Sequence, residues 1–225
     1  MHETNQTMSF TQQLLKVLSE LDQTFLPDEL AYLATTSKVE GPIRDRLAYR
    51  LHMELDPAQV FVHREWRDPK KNGWIDISVT DKKNYPLQLI ELKAHSGPTF
   101  EGGFSKRVRE DLEKLYKASE DATELYAIFL FNHLYHPSKI DSMFQHVVKY
   151  YDIQNFASRK HDFVQDVRDK TKENWEKHLQ RIGIPLNKTH PGIYLKAGSF
   201  YMMPMEVHAY VLGPLNKAEL AKVFD

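Results

Sequence analysis

Cysteine is absent from the 225 residues. That excludes disulfides and thiolate metal sites and fits a reducing compartment, so a cytoplasmic location is the expectation. A surplus of charge is absent too: 30 Lys and Arg stand against 31 Asp and Glu, a formal net charge of −1. With no global positive field, any grip on a polyanion must come from local patches. No stretch approaches the ~18 consecutive apolar residues of a membrane span, so no membrane partner is expected. The opening MHETNQTMSF lacks a basic region followed by an apolar core, so no signal peptide is expected. Internal repeats, low-complexity tracts and an evident linker are also missing. What remains is 41% hydrophobic, enough for one sizeable core or two small ones, and residues 1–225 are expected to form a single domain.

The chain turns on Trp74 to Ala94, WIDISVTDKKNYPLQLIELKA. Two apolar runs flank a polar turn, and each carries charge where a buried strand should have none: Asp76 in the first, Glu91 and Lys93 in the second. A charge inside a strand is costly unless it is paired or holds a metal. DKKNYP (Asp81 to Pro86) is turn-like. If the hairpin closes about Lys83–Asn84, residues whose numbers sum to 167 face each other, and Asp76 faces Glu91, with Cβ atoms roughly 5 Å apart. Lys93 shares the face of Glu91. Two carboxylates that close repel, and a divalent cation between them is the natural resolution. A slip of one residue would put the two acids on opposite faces.

Helical spacing is expected at Ser9 to Ser19, at Leu26 to Thr35, and from Gly41-Pro42 to about Leu55 with Ile43, Leu47, Leu51 and Leu55 on one face. Val60 to Trp66 reads as a strand. After the hairpin, Ala94 to Gly103 reads as a glycine-rich loop. Ser105 to Ser119 reads as a helix with Val108, Leu112 and Leu115 inward and Lys106, Arg107, Arg109, Lys114 and Lys117 on or near the exposed side. Glu124 to Asn132 (ELYAIFLFN) is the most apolar strand and the expected centre of a sheet. Helices are expected from Ser138 to about Phe156 and from Asp162 to Ile182. Gly192 to Lys196 and Phe200 to Val211 read as a final hairpin broken by Ala197-Gly198-Ser199. The order implies an α/β fold, a central mixed sheet flanked by helices, with extra C-terminal helices and a β-hairpin.

W-I-D-I-S at Asp76 and I-E-L-K-A at Glu91 and Lys93, with 14 residues between the acids, resemble the PD-(D/E)XK nuclease superfamily. The preceding helix, the first strand, the acidic hairpin, the following helix and the apolar strand match its context. The resemblance covers roughly residues 38–132, leaving about 138–225 as a C-terminal elaboration. Ile75 stands where the superfamily has proline. The resemblance implies a restriction endonuclease-like core and a Mg²⁺-dependent phosphodiesterase, with Mn²⁺ as an expected substitute. Its expected substrate is nucleic acid, DNA ahead of RNA, in restriction, defence or repair.

In that setting Asp76 and Glu91 ligate the metal, joined by the backbone carbonyl of Leu92, and Lys93 orients or deprotonates water or neutralises the phosphate. The superfamily often adds an acid from the helix before the sheet. Glu40 shares the face of Ile43, Leu47 and Leu51, whereas Asp45 points about 140° away at ~100° per residue, so Glu40 is preferred. The bland alternative is an inter-strand salt bridge of Asp76 or Glu91 with Lys93.

Lys106, Arg107 and Arg109 follow the glycine loop and are candidate phosphate contacts, against a solvated helix face balanced by Glu110, Asp111 and Glu113. His95, just past Lys93, is a candidate substrate contact. Lys70, Lys71, Lys82 and Lys83 read as solubility charges. His133 and His136 read as ordinary polar residues, and Trp66, Trp74 and Trp175 as core. Tyr150-Tyr151 with Lys149 fits base stacking or a buried helix face equally. A homodimer is one expectation, because two strands need two sites. A catalytically inactive nuclease-fold protein that binds nucleic acid or a protein partner is the alternative.

Overall fold

A computed structural model describes residues 8–70, 73–96, 103–135, 164–201 and 203–224. In chain order these form α1 (Phe10–Ser19), α2 (Glu29–Thr36), α3 (Glu40–Glu54), β1 (Val60–Arg67), β2 (Trp74–Asp81), β3 (Pro86–Ser96), α4 (Gly103–Ala118), β4 (Glu124–Leu134), α5 (Val164–Arg181), β5 (Ile193–Phe200), β6 (Met203–Leu215) and α6 (Lys217–Phe224), with 3-10 turns at Leu21–Thr24 and Leu186–Lys188. The fold is α/β, a six-stranded mixed sheet in the order β1-β2-β3-β4-β6-β5. β3 and β4 run parallel and all other neighbours antiparallel.

The central position expected for the ELYAIFLFN run is met, for a simple reason. β4 is apolar on both faces because both are covered. Tyr126, Ile128 and Leu130 enter one core cluster with α1, α2 and α3, and Leu125, Ala127, Phe129 and Phe131 enter a second with α4, α5 and α6. Among the described residues no helix is long and apolar enough to cross a membrane.

Local capping opens α1. Ser9 accepts the Gln12 N–H at 3.3 Å while Gln12 Oε1 accepts the Ser9 N–H at 2.8 Å, the reciprocal pair that opens α1. α2 begins three residues later than the apolar spacing suggests. Asp28 is left-handed there (φ 63°), and its carboxylate is engaged by the Ser199 N–H at 2.7 Å. α3 begins at Glu40, so Pro42 falls in the first turn, where a missing N–H leaves no helical bond unmade.

Three expectations need correction. The final hairpin does not break at Ala197-Gly198-Ser199; β5 runs through to Phe200. The register shifts between Lys196 and Gly198, and Gly198 (φ 94°) lets the strand pass Asp28, whose carboxylate oxygen lies 2.5 Å from where a Cβ would be. β3 extends to Ser96, taking up the start of the expected loop. Trp74 is not core: it is 58% exposed, against 6% for Trp66 and 1% for Trp175. The expected helix from Ser138 to about Phe156, with Tyr150-Tyr151, Lys149 and His136, lies outside the described residues, as do Lys71 and most of the glycine-rich loop.

Candidate active site

The hairpin register is the one that places the two acids together. Ile77 pairs with Ile90, Ser78 with Leu89 and Val79 with Gln88, each pair summing to 167. Nearer the turn a bulge between Val79 and Thr80 brings Thr80 opposite Pro86. Asp81 organises the turn itself, its Oδ1 accepting the Lys83 and Tyr85 N–H groups at 2.8 and 2.9 Å.

Beyond Ile77 and Ile90 the backbone ladder stops and the carboxylates take over. The Asp76 N–H donates to Glu91 Oε1 at 3.2 Å, and the Leu92 N–H donates to Asp76 Oδ2 at 2.8 Å. In a strand the carbonyl leaves from the same edge as the N–H of its residue, so the Leu92 carbonyl faces this same gap. α3 closes one side: Arg44 lies 3.6 Å from Asp76 Oδ1, and Glu40 Oε2 accepts the Ala94 N–H at 3.0 Å. Asp45 pairs with Arg44 at 3.0 Å and Arg64 at 2.9 Å, and so meets the hairpin acids only through Arg44. Helical phase therefore separates the two acids as the sequence spacing implies.

α4 closes the other side with two residues that sequence reasoning did not single out as part of the site. Lys114 Nζ sits 2.7 Å from Glu91 Oε2, and Asp111 Oδ2 sits 2.8 Å from Lys93 Nζ. The inter-strand bridge from Lys93 to the hairpin acids is replaced by these two bridges to the helix. Lys114 is thus half-buried over an acid rather than solvated. A signal for Asp111 was present: it lies on the stripe of Val108, Leu112 and Leu115, an acid on an apolar face.

Burial, at 3% residual exposure, pushes the Glu91 carboxyl well above the usual range; the Asp76 charge adds to this and Lys114 only partly offsets it. Burial likewise raises Asp111. Burial alone would lower Lys93, but the Asp111 hydrogen bond and the charges of Asp111, Glu40 and Glu91 outweigh it and hold the ammonium above its ordinary range. Glu40, Asp76, Glu91 and Asp111 thus gather with Arg44, Lys93 and Lys114, and Arg44 is shared with Asp45 at 3.0 Å and Glu65 at 2.8 Å.

Among the described residues no group of three or more His, Asp or Glu side chains is arranged to hold a metal ion. Asp76 and Glu91 are a smaller set, of the hard oxygen donors that Mg²⁺ takes, and here Glu91 Oε1, Glu91 Oε2 and Asp76 Oδ2 are engaged by the Asp76 N–H, Lys114 and the Leu92 N–H.

The remaining candidates are spread out. Lys106 pairs with Glu110 at 3.8 Å, and the Arg109 guanidinium lies 5.7 Å from the Phe224 ring on α6. Arg107 lies one turn before Asp111 on the same side of α4. His95 packs on Phe104, ring centroids 4.4 Å apart. His133, read from sequence as an ordinary polar residue, is buried, its ring 4.0 Å from that of His208, with Thr171 Oγ1 3.3 Å from its Nε2. Comparison with family models, with characterised proteins and with solved structures finds no match to this chain.

Proposed function

We propose that the protein is a divalent-metal-dependent phosphodiesterase acting on nucleic acid, DNA in the first instance, with a restriction endonuclease-like core. The carrying observation is the reciprocal tie between Asp76 and Glu91, which gathers two carboxylates at the end of a hairpin ladder with Lys93 two residues on.

Asp76 and Glu91 offer carboxylate oxygens to the cation, and the Leu92 carbonyl adds a third oxygen. When bound, Mg²⁺ supplies an acidified water and neutralises charge developing on the phosphate. Lys93, held by Asp111, presents a fixed ammonium beside the acids. Its raised proton affinity suits it to stabilising phosphate charge rather than to taking a proton from water. Glu40 anchors the end of β3 through the Ala94 N–H, keeping Lys93 and Leu92 in line.

The test is cleavage of plasmid, linear duplex and single-stranded DNA with and without Mg²⁺. Asp76→Asn, Glu91→Gln and Lys93→Ala should each abolish metal-dependent cleavage at unchanged secondary structure. Normal cleavage by these variants removes the site assignment. A second reading, a non-catalytic nucleic-acid- or protein-binding domain, is favoured by one observation: Lys114 already neutralises Glu91. Calorimetric titration with Mg²⁺ separates the two, because that reading predicts no heat attributable to Glu91.

A further inference from the structure

Trp74 opens β2 with its indole in solvent, although a side chain of that size contributes 150–250 Å² of favourable burial wherever it is covered. Ile75 is fully buried in the α4-side cluster. Trp74 and Asp76 flank it on β2, about 7 Å apart along the strand. Arg67 is the register partner of Trp74, and its guanidinium lies 5.9 Å from the indole centroid. Arg67 has no carboxylate partner among the described residues, unlike Arg44 and Arg64 on the same flank. An exposed ring and an unneutralised guanidinium thus stand beside the acid pair, at the open end of the hairpin.

We infer that Trp74 and Arg67 form a stacking platform for an unpaired base of a nucleic-acid strand whose backbone runs on to Asp76 and Glu91. Every base has a π-face, so an indole grips any of them, while a guanidinium beside it takes the adjoining phosphate. Paired bases inside a duplex offer no such face. The platform thus assigns single strands, frayed ends or extruded bases as the favoured substrate form. The inference deepens the nuclease reading and rests on it for the direction in which the strand runs.

Binding without turnover tests it. Fluorescence anisotropy of a labelled oligothymidylate and of a blunt duplex of equal length, both in EDTA, should show tighter binding of the single strand. Trp74→Ala should weaken that binding by about 5- to 150-fold, the range for loss of one base stack, at little change in melting temperature. Trp74→Phe, which keeps a ring, should stay within about threefold of wild type, and Arg67→Ala should weaken binding and flatten its salt dependence by about one unit. In the unaltered protein the strand should quench tryptophan emission, since Trp66 and Trp175 are shielded.

Unchanged affinity in Trp74→Ala overturns the inference. So do no quenching, a Trp74→Phe variant as weak as Trp74→Ala, and a Trp74-dependent dimer that binds no oligonucleotide. Trp74-dependent binding with no cleavage in Mg²⁺ keeps the platform and removes the nuclease reading. Cleavage together with Trp74-independent binding does the reverse.

Discussion

Asp76 and Glu91 each cap the strand of the other: Glu91 Oε1 accepts the Asp76 N–H, and Asp76 Oδ2 accepts the N–H of Leu92, the residue after Glu91. The candidate metal ligands are therefore also the last ties of the hairpin. Candidate ligand and structural tie are the same side chain at this point, so removal of either has two consequences that must be separated.

Amide and alanine variants separate them. Asp76→Asn and Glu91→Gln retain an acceptor oxygen for the facing N–H; Asp76→Ala and Glu91→Ala leave it unmet. Urea unfolding in EDTA should place each alanine variant about 1–3 kcal/mol below its amide counterpart. Equal stabilities would mean that the carboxylate-to-backbone bonds contribute nothing.

Lys114 serves as the counterion of a carboxylate that is almost fully enclosed. Lys114→Met should lower metal-free stability by about 3 kcal/mol, because it strands that charge. The same change in a Glu91→Gln background should cost far less, a coupling measurable in a double-mutant cycle. Mg²⁺ should raise the melting temperature of Lys114→Met more than that of wild type, since binding to the folded form alone stabilises it. Additive effects of the two substitutions would dissolve the pair.

Acidity acts on this end of the molecule in an unusual sense. A carboxyl whose folded pKa is raised holds its proton more tightly folded than unfolded, so its ionisation destabilises the fold. Metal-free stability should therefore rise as pH falls from neutral through the raised value of Glu91, levelling near the unfolded value of about 4.3. Glu91→Gln should flatten this limb and be the more stable protein at neutral pH, by on the order of 1 kcal/mol. A limb that persists in Glu91→Gln would assign it elsewhere, with Asp111 the next group of the same sign.

Glu206 runs the opposite way. Burial would raise it, but hydrogen bonds from His208, Arg168 and Tyr135 prevail and bring it down to about 2. Its contribution is complete above the unfolded value of about 4.3 and is lost as pH falls toward 2. Arg168 binds it with Nη2 at 2.6 Å and Nε at 3.1 Å, clamping α5 to β6. Arg168→Met should lower stability at neutral pH by roughly 1–3 kcal/mol and shrink the acid-limb loss. Guanidinium unfolding at neutral and acidic pH reads both, and a variant with the full wild-type acid limb would show that Arg168 does not set it.

The hairpin was legible because turn chemistry and strand alternation point to the same register; Asp81 and Asn84 close the turn where their backbone preferences put it, and the bulge absorbs its one-residue offset. Glu40 was legible because helical phase separates it from Asp45 by a wide angle. Lys114 was not legible: at its position on the wheel a lysine reads as solvated, and only the approach of α4 to β3 turns it onto Glu91. Asp111 was half legible, as an acid on an apolar stripe that a surplus of neighbouring charge disguised. Trp74 was misread because aromatic character says burial, whereas among the described residues nothing covers it beyond the flank of Arg67. The C-terminal hairpin break was misplaced because Ala197-Gly198-Ser199 carries the composition of a turn while a bulge accommodates it inside a strand.

Every residue that meets at the hairpin fork lies between Glu40 and Lys114, on α3, β2, β3 and α4. At the far half of the sheet, β6 and β5 are also held by α1, α2, α5 and the 3-10 turn at Leu21–Thr24, through bonds such as Asp22 to the Lys196 N–H and Asp28 to the Ser199 N–H. The candidate site and these anchoring bonds thereby lie toward opposite edges of one sheet. β5 is an edge strand three places from β3, so length and decoration can vary along it without reaching the hairpin fork.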